Sequence, residues 1–193
     1  MVHLFRSPLL RGLIALIFLV LLIDAYVPPE FGYENGVIEN IQVVVLLVGA
    51  LVSITKVRTS EGRTRCLWIA AMLFFLLIAG RELSWGRVFF PPMENGNFPP
   101  VKALPYGSIV YPLIGVTLVS IIALIIRGRI VNYLRTQDIP MVPLILLLAA
   151  VYLSYDAEHL HLLPLTNGQV VEEFCELVVY SLFAWMVARM KSS

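Results

Sequence analysis

The chain has 193 residues, of which 59% are hydrophobic and 14% are charged, and its mean hydropathy is +0.86. A soluble domain carries about 25% charged residues. This composition therefore excludes a soluble globule, because too few polar residues are present to cover its surface. The net charge of +1, without any block of Lys and Arg, gives no indication of nucleic acid as a partner.

Six apolar segments are each long enough to cross a bilayer as a helix, which takes roughly 20 residues. The sequence therefore predicts an all-α fold, a polytopic transmembrane helical bundle that forms a single domain over residues 1–193. The predicted spans cover about residues 9–27, 37–55, 67–85, 108–126, 140–158 and 169–187.

Lys and Arg are distributed unevenly between the two ends of these predicted spans. Cytoplasmic loops carry an excess of basic residues, so we expect the basic end to be cytoplasmic, together with both termini. Three basic residues fall at the other end: Arg81, Arg87 and Lys102. The basic end holds the remaining eleven: Arg6, Arg11, Lys56, Arg58, Arg63, Arg65, Arg127, Arg129, Arg135, Arg189 and Lys191.

The acidic residues have the opposite distribution. Only Glu61 and Asp138 fall in predicted cytoplasmic loops, and the other eleven acids fall on the non-cytoplasmic half. Acidic residues contribute little to membrane topology. Their accumulation on the outer side therefore needs another explanation, and we interpret it as a polar site that opens outward.

The sixth predicted span has the most concentrated acidic pattern. Glu172, Glu173, Glu176 and Tyr180 fall within about 100° of arc at 3.6 residues per turn. An intramembrane carboxylate is costly, so such a stripe is expected to face the bundle and to hold cations or protons. The alternative is a solvated helix start, where the helix dipole favours acids.

The fifth predicted span ends in a second polar group. Tyr152, Tyr155, Asp156 and His159 share about 100° of one face if the helix continues that far, and His161 follows. A His-x-His pair with a nearby acid can bind Zn²⁺ or Mn²⁺. The alternative is that both histidines are ordinary interfacial polar residues.

The short connection between the fifth and sixth spans predicts that the two polar groups are neighbours. Connected helices are usually antiparallel neighbours, so the end of one span lies beside the start of the next. The sequence therefore predicts a divalent-metal site with four candidate ligands: His159, His161, Glu172 and Glu176.

The third predicted span ends in Arg81, Glu82 and Trp85, which share one face. Arg81 can pair with an outer acid, or it can bind an anionic headgroup, because its planar fork suits carboxylate and phosphate groups. A purely structural ion pair is the alternative. A proline-rich segment of about 20 residues follows at 87–106, and a long loop in a compact protein is often functional or disordered.

The run Glu82-Leu83-Ser84-Trp85-Gly86-Arg87 resembles a Glu-x-Ser-Trp-Gly motif of uncharacterised bacterial multi-pass inner-membrane proteins. Those proteins also carry paired glutamates at the start of a later helix, as Glu172-Glu173 does here. The likeness covers about a tenth of the chain. The resemblance implies a bacterial inner-membrane setting and does not imply a particular activity.

The first functional hypothesis is a metal-dependent enzyme that faces the periplasm and acts on a lipid or isoprenoid-type substrate. Glu82 or Asp156 would be the catalytic base, and metal-bound water would be the nucleophile. The proline-rich segment would serve as a lid. The expected substrate-binding residues are Arg81, Arg87, Trp85 and Tyr180.

Two other functions remain open at this stage. The chain can be a non-catalytic membrane partner or assembly subunit, in a homo-oligomer or with another membrane protein, whose acids form structural ion pairs. It can also be a cation- or proton-coupled transporter, because intramembrane acids often mark ion routes. Few polar residues continue toward the cytoplasmic side, which favours a site open to one side over a channel.

Overall fold

A computed structural model describes residues 7–93, 97–160 and 163–191. Within these ranges all regular structure is helical. The helices are α1 (Pro8–Tyr26), α2 (Val37–Thr59), α3 (Gly62–Glu82), α4 (Gly107–Gly128), α5 (Ile130–Leu134), α6 (Met141–Tyr155) and α7 (Gly168–Arg189). The predicted all-α class is therefore confirmed.

Short helical turns connect several of these helices. Three are 3₁₀ turns, at Pro29–Gly32, Ser84–Phe89 and Val101–Ala103. A fourth is the single wide π turn Asp156–Leu160, which continues α6.

Five helical stretches in the described ranges are long and apolar enough to cross a membrane, which is compatible with a membrane protein. Helix α7 matches the sixth predicted span in length but is not one of the five. The five are Pro8–Tyr26, Pro29–Thr59, Gly62–Glu82, Gly107–Gly128 and Met141–His159.

Two predicted helix ends differ from the structure for local backbone reasons. Helix α3 ends at Glu82 and not at Trp85, because Ser84, Trp85 and Gly86 all have positive φ angles of 46°, 56° and 87°. The regular α-helical part of the fifth span ends at Tyr155, because the chain widens into the π turn. Such wide turns insert one extra residue per turn and shift the side-chain register.

The chain forms two compact units. The first unit contains the described parts of Met1–Val45 and Ile139–Met186, and the second contains those of Leu46–Asp138 and Val187–Ser193.

The core of the first unit is made by α1, α6 and α7. It is formed by Leu16, Val20, Ala150, Leu153, Ala157, Val171 and Cys175, all buried. Helix α1 starts with Pro8 at its first turn, where a missing N–H costs nothing. Asp24, near the end of α1, accepts hydrogen bonds from the backbone of Thr166 and Asn167, just before α7 begins.

The second unit is built around α3 and α4, which pack against each other. Close approaches at glycines set the spacing of its helices. A Cβ atom at Gly49 would lie 2.6 Å from the ring of Phe75, and one at Gly128 would lie 2.3 Å from the side chain of Leu67. Small residues let helix backbones approach closely, which is the usual device of membrane helix bundles.

Candidate functional site

The acidic start of α7 is the best-defined polar feature of the first unit. Val170, Val171 and Cys175 are fully buried and fix the core face of the helix. Glu172, Glu173 and Glu176 occupy the adjoining positions and are half-buried. The helix therefore holds three carboxylates beside the core, neither inside it nor fully in solvent.

Two of these carboxylates lie close together, and each is held by a neighbouring side chain. Glu173 and Glu176 each present an oxygen, and these two oxygens lie within 4.8 Å of each other. The amide nitrogen of Gln42 donates to Glu173 Oε2 at 3.0 Å. The hydroxyl of Tyr180 donates to Glu176 Oε2 at 3.1 Å. Glu176 and Tyr180 are four residues apart, so this bond runs along one face of α7.

The contact between Gln42 and Glu173 is the feature of this site that the sequence does not predict. From the sequence alone, Gln42 can either line the outer polar site or cap the nearby loop, and the structure leaves it no exposed surface. Its Nε2 also donates to the backbone carbonyl of Glu173 at 2.8 Å. Among the described residues, its Oε1 is buried without a hydrogen-bond partner. The available signal was an uncharged amide just before the apolar run that begins at residue 43 of α2.

An open cavity of about 530 Å³ lies at the start of α7. Glu172 and Gln169 contribute to its wall from α7, and Glu158 contributes from the π turn. Gly168 allows the chain to turn here, because a Cβ atom at this position would lie 2.9 Å from the carbonyl oxygen of Ala157. Polar side chains from the end of α6 and from the start of α7 therefore line the same open cavity. The short connection between the two helices predicts this proximity.

His159 is exposed and has local partners. Its ring stacks on that of Tyr155 with 4.7 Å between centroids, and its Nδ1 lies 3.0 Å from Glu158 Oε2. Within the described ranges, His159 does not belong to any group of three or more acids, histidines and cysteines close enough to share a metal ion. The other histidine predicted as a ligand, His161, lies outside the described residues.

Asp156 differs in burial from the three residues with which the sequence pattern groups it on one face. Its side chain is buried, with 1% of the residue exposed, whereas Tyr152, Tyr155 and His159 are exposed. Asp156 begins the π turn, and its Oδ2 accepts the backbone N–H of Leu163 at 3.1 Å. This bond stabilises the turn after α6.

Arg81 and Glu82 form an ion pair at the end of α3, in the second unit. Arg81 Nε lies 3.7 Å from Glu82 Oε1. The arginine side chain is 54% exposed, whereas that of Glu82 is 4% exposed. Glu82 is thus the buried member of this ion pair, and Arg81 is the solvent-accessible one. Binding of an anion by Arg81 requires such accessibility.

Trp85 and Arg87 lie in the turn after α3. The carbonyl of Trp85 accepts the hydroxyl of Tyr106 at 3.1 Å, and the Trp85 ring covers Gly80. The ring also lines an apolar groove of about 390 Å³ between α3 and α4. Arg87 is half-buried, with a buried Nε atom. An apolar groove therefore lies beside Trp85, which the sequence analysis predicts to bind substrate.

Comparison of the chain with protein-family models, with curated proteins and with solved structures finds no match in any of the three.

Proposed function

We propose that the chain is a multi-pass protein of the bacterial inner membrane that binds a divalent cation near its outer surface and acts on a lipid or isoprenoid-type substrate. In this proposal α7 is the sixth span and both termini are cytoplasmic. The uneven distribution of Lys and Arg supports that orientation. The resemblance around Trp85 supports the bacterial setting.

A sixth span is physically reasonable for α7 despite its acids. The helix has 22 residues, which at 1.5 Å per residue gives about 33 Å, enough to cross the hydrocarbon core. Its three glutamates lie in the first nine residues, where the cost of a charge is lower than at the bilayer centre. The remaining 13 residues of the helix are mainly apolar.

The observation that carries the proposal is the close approach of the Glu173 and Glu176 carboxylates, with the Gln42 amide bound to Glu173. Two negative charges within 4.8 Å repel each other when half-buried, and a bound cation relieves that repulsion. The buried Oε1 of Gln42, without a hydrogen-bond partner among the described residues, is an oxygen of the type that hard cations accept as a ligand. The residues present therefore fit a divalent cation.

The chemistry of the donors favours Mn²⁺ over Zn²⁺. Glu173, Glu176 and Gln42 offer oxygen atoms only, and carboxylate and carbonyl oxygens suit Mg²⁺, Ca²⁺ and Mn²⁺. Zinc sites in proteins normally include nitrogen or sulfur ligands. Zinc would therefore need His159 or His161 as an additional ligand.

The chain's own residues would position the substrate and the cation. Gln42 fixes the carboxylate of Glu173, and Tyr180 fixes that of Glu176. The open cavity beside Glu172 can receive a polar headgroup. A divalent cation, when bound, supplies a Lewis acid for an ester or phosphate oxygen.

Metal analysis of the purified full-length protein tests the cation site. We expect about one Mn²⁺ per chain in the unsubstituted protein after equilibration and dialysis, and loss of this metal in Glu173→Gln and Glu176→Gln. Glu30→Gln is the matched control, because Glu30 is an exposed acid of the same unit. Absence of stoichiometric metal, with unchanged stability after chelation, would contradict the proposal.

Activity is tested separately on phospholipids and isoprenoid phosphates in mixed micelles. Turnover that depends on Mn²⁺ and disappears in Glu176→Gln, but not in Glu30→Gln, supports the enzyme. Metal binding without turnover on either substrate class contradicts the enzymatic part. Cation flux in proteoliposomes that disappears in Glu176→Gln would instead indicate the transporter.

A second candidate is a non-catalytic assembly subunit, and the use of Asp24 and Asp156 favours it. Both acids bind backbone N–H groups that hold connecting segments in place. These two outer acids therefore stabilise the fold, which is a role that requires no substrate. Purification as a stable stoichiometric complex, without metal and without turnover, would favour this candidate.

A further inference from the structure

A basic crevice lies in the second unit, where α3 begins and α4 ends. It is an open space of about 480 Å³ lined by Gly62, Arg63, Ile126, Arg127 and Arg129. Three of its five lining residues are therefore arginines. None of them belongs to the site proposed above, and the inference drawn from them does not rest on that proposal.

The backbone around the crevice is fixed by two turns and one close helix contact. Arg129 ends α4 in the left-handed region with φ 52°, and its N–H bonds to the carbonyls of Ile125 and Ile126. Gly62 begins α3 with φ 56°. A Cβ atom at Gly128 would lie 3.2 Å from the carbonyl oxygen of Arg63, so the two helices touch directly beside the crevice.

The positive charges of the three arginines are not neutralised by any acidic side chain among the described residues. Arg63, Arg127 and Arg129 are exposed and, within the described residues, form no ion pair and no side-chain hydrogen bond. The nearest acid in the sequence, Glu61, is exposed and makes no side-chain cap at the start of α3. The first N–H groups of α3 add the positive end of a helix dipole.

The shape and chemistry of the crevice suit a phosphate group attached to an apolar body. Guanidinium groups bind phosphate through paired hydrogen bonds, and helix N-termini bind anions through free N–H groups. Ile126 is 71% exposed and provides an apolar wall on the same crevice. Basic pockets between membrane helices commonly bind anionic lipid headgroups.

We propose that this crevice binds the phosphate of an anionic phospholipid headgroup, with Arg63, Arg127 and Arg129 as the cationic ligands and Ile126 against the apolar part of the lipid. The site would attach the α3–α4 end of the second unit to an anionic membrane surface. It differs from a general basic surface because the three arginines surround one cavity.

Lipid retention by the full-length protein in neutral detergent tests this site. Native mass spectrometry with added phosphatidylglycerol or phosphatidylcholine should show one phosphatidylglycerol retained in preference. Each Arg→Gln substitution in the crevice should weaken retention about fivefold, since one basic residue near a charged membrane surface contributes about 1 kcal/mol. The triple variant R63Q/R127Q/R129Q should show no preference.

The matched control removes three other arginines of the same unit, in R58Q/R65Q/R135Q. Those residues are exposed, and they are not part of the crevice. Retention close to that of the unsubstituted protein is expected, with equal helix content by circular dichroism in both triple variants. Equal loss in the two triple variants would show a general charge effect and would overturn the proposal.

Inorganic phosphate distinguishes a lipid site from a site for the free anion. We expect phosphate at millimolar concentration to displace the lipid only weakly, and we expect Ile126→Ser to reduce lipid retention without changing phosphate binding. Phosphate binding as tight as lipid binding, unaffected by R58Q/R65Q/R135Q, would overturn the lipid assignment. Absence of any preference for phosphatidylglycerol in the unsubstituted protein would overturn the site altogether.

Discussion

Gln42 on α2 holds Glu173 on α7 through two hydrogen bonds from a single amide nitrogen, one to the backbone carbonyl and one to the carboxylate. The two residues are 131 positions apart in the sequence. Gln42 is completely buried, so this link has no competition from bulk water. It ties two helices together and orients one of the two carboxylates of the candidate cation site.

Gln42→Leu should destabilise the protein by about 1.5–3 kcal/mol, because hydrogen bonds to charged groups are worth that much and the Glu173 carboxylate loses a donor. The free energy of unfolding in mixed micelles measures the effect. Gln169→Leu is the control, since Gln169 is exposed. Similar losses in both variants would contradict a specific role for Gln42.

Asp24→Asn should loosen the segment that precedes α7. The Asp24 carboxylate accepts the backbone N–H of Thr166, the hydroxyl of Thr166 and the backbone N–H of Asn167. An asparagine offers one oxygen in place of two, and its amide hydrogens oppose these donors. We expect faster hydrogen exchange at the amides of Thr166 and Asn167, with a loss of about 1.5–3 kcal/mol in stability.

Glu30→Gln is the control for this prediction, because Glu30 is an exposed acid in the same unit. It should leave the exchange of both amides unchanged. If Asp24→Asn exchanges at the same rate as the unsubstituted protein, these hydrogen bonds do not limit the opening of the segment.

The helices were predictable because most of them coincide with apolar segments long enough to cross a bilayer. Five of the six predicted spans begin and end within about four residues of α1, α2, α4, α6 and α7. Helix α3 deviates more, because it begins five residues before the predicted start at 67 and ends three residues before the predicted end at Trp85. Trp85 was assigned to a helix from its apolar character, but its left-handed backbone depends on contacts with Gly80 and Tyr106 that no periodicity reveals.

The candidate site was predictable in part, for a different reason. The arc of Glu172, Glu173, Glu176 and Tyr180 follows from helix geometry alone, and within it the structure has a hydrogen bond between Tyr180 and Glu176. The bond between Gln42 and Glu173 was not predictable, because the two residues are 131 positions apart in the sequence. The shared face of Tyr152, Tyr155, Asp156 and His159 was conditional on a regular helix, and the chain instead adopts a π turn from Asp156 onward.

Gly49→Ala should destabilise the second unit by about 1–3 kcal/mol, the usual cost of an overfilled packing site. The new methyl group would lie 2.6 Å from the ring of Phe75, which has no exposed surface and little room to move. Unfolding in mixed micelles measures the change.

Gly115→Ala is a matched control for this substitution. Gly115 lies within α4, and a Cβ atom there would meet nothing within 4 Å. Alanine should stabilise that helix by up to about 1 kcal/mol through its higher helix propensity. Opposite signs at the two glycines are therefore expected, and equal signs would contradict the packing argument.

Tyr133 should make stability dependent on alkaline pH. Burial raises the pKa of Tyr133 to about 12, above the ordinary value of 10.0. The folded protein therefore favours the protonated phenol, so this contribution is complete below pH 10 and is lost as the pH rises toward 12. Tyr133→Phe should remove this part of the pH dependence between pH 10 and 12.

Unfolding measured at several pH values in this window, alongside tyrosinate absorbance, checks the assignment. Tyr111→Phe is the control, because Tyr111 is an exposed tyrosine of α4. A pH dependence that is identical in the unsubstituted protein and in Tyr133→Phe would exclude Tyr133 as its source.

Gly86→Ala should disrupt the turn after α3 through two separable effects. Gly86 has φ 87°, where an alanine costs about 1–2 kcal/mol. A Cβ atom there would also lie 2.5 Å from the hydroxyl oxygen of Tyr106, which donates to the carbonyl of Trp85. The alanine must therefore displace that hydroxyl and break a bond worth about 1 kcal/mol.

A double-mutant cycle with Tyr106→Phe separates these two effects. In the Tyr106→Phe background the hydroxyl is absent, so Gly86→Ala should cost only the backbone contribution, and the coupling should be about 1 kcal/mol. Gly115→Ala with Tyr106→Phe should be additive. Additivity in the Gly86 cycle would mean that the Tyr106 bond is unimportant. Non-additivity would give the Ser-Trp-Gly run a physical reason, because three consecutive left-handed residues need both a glycine and an external donor.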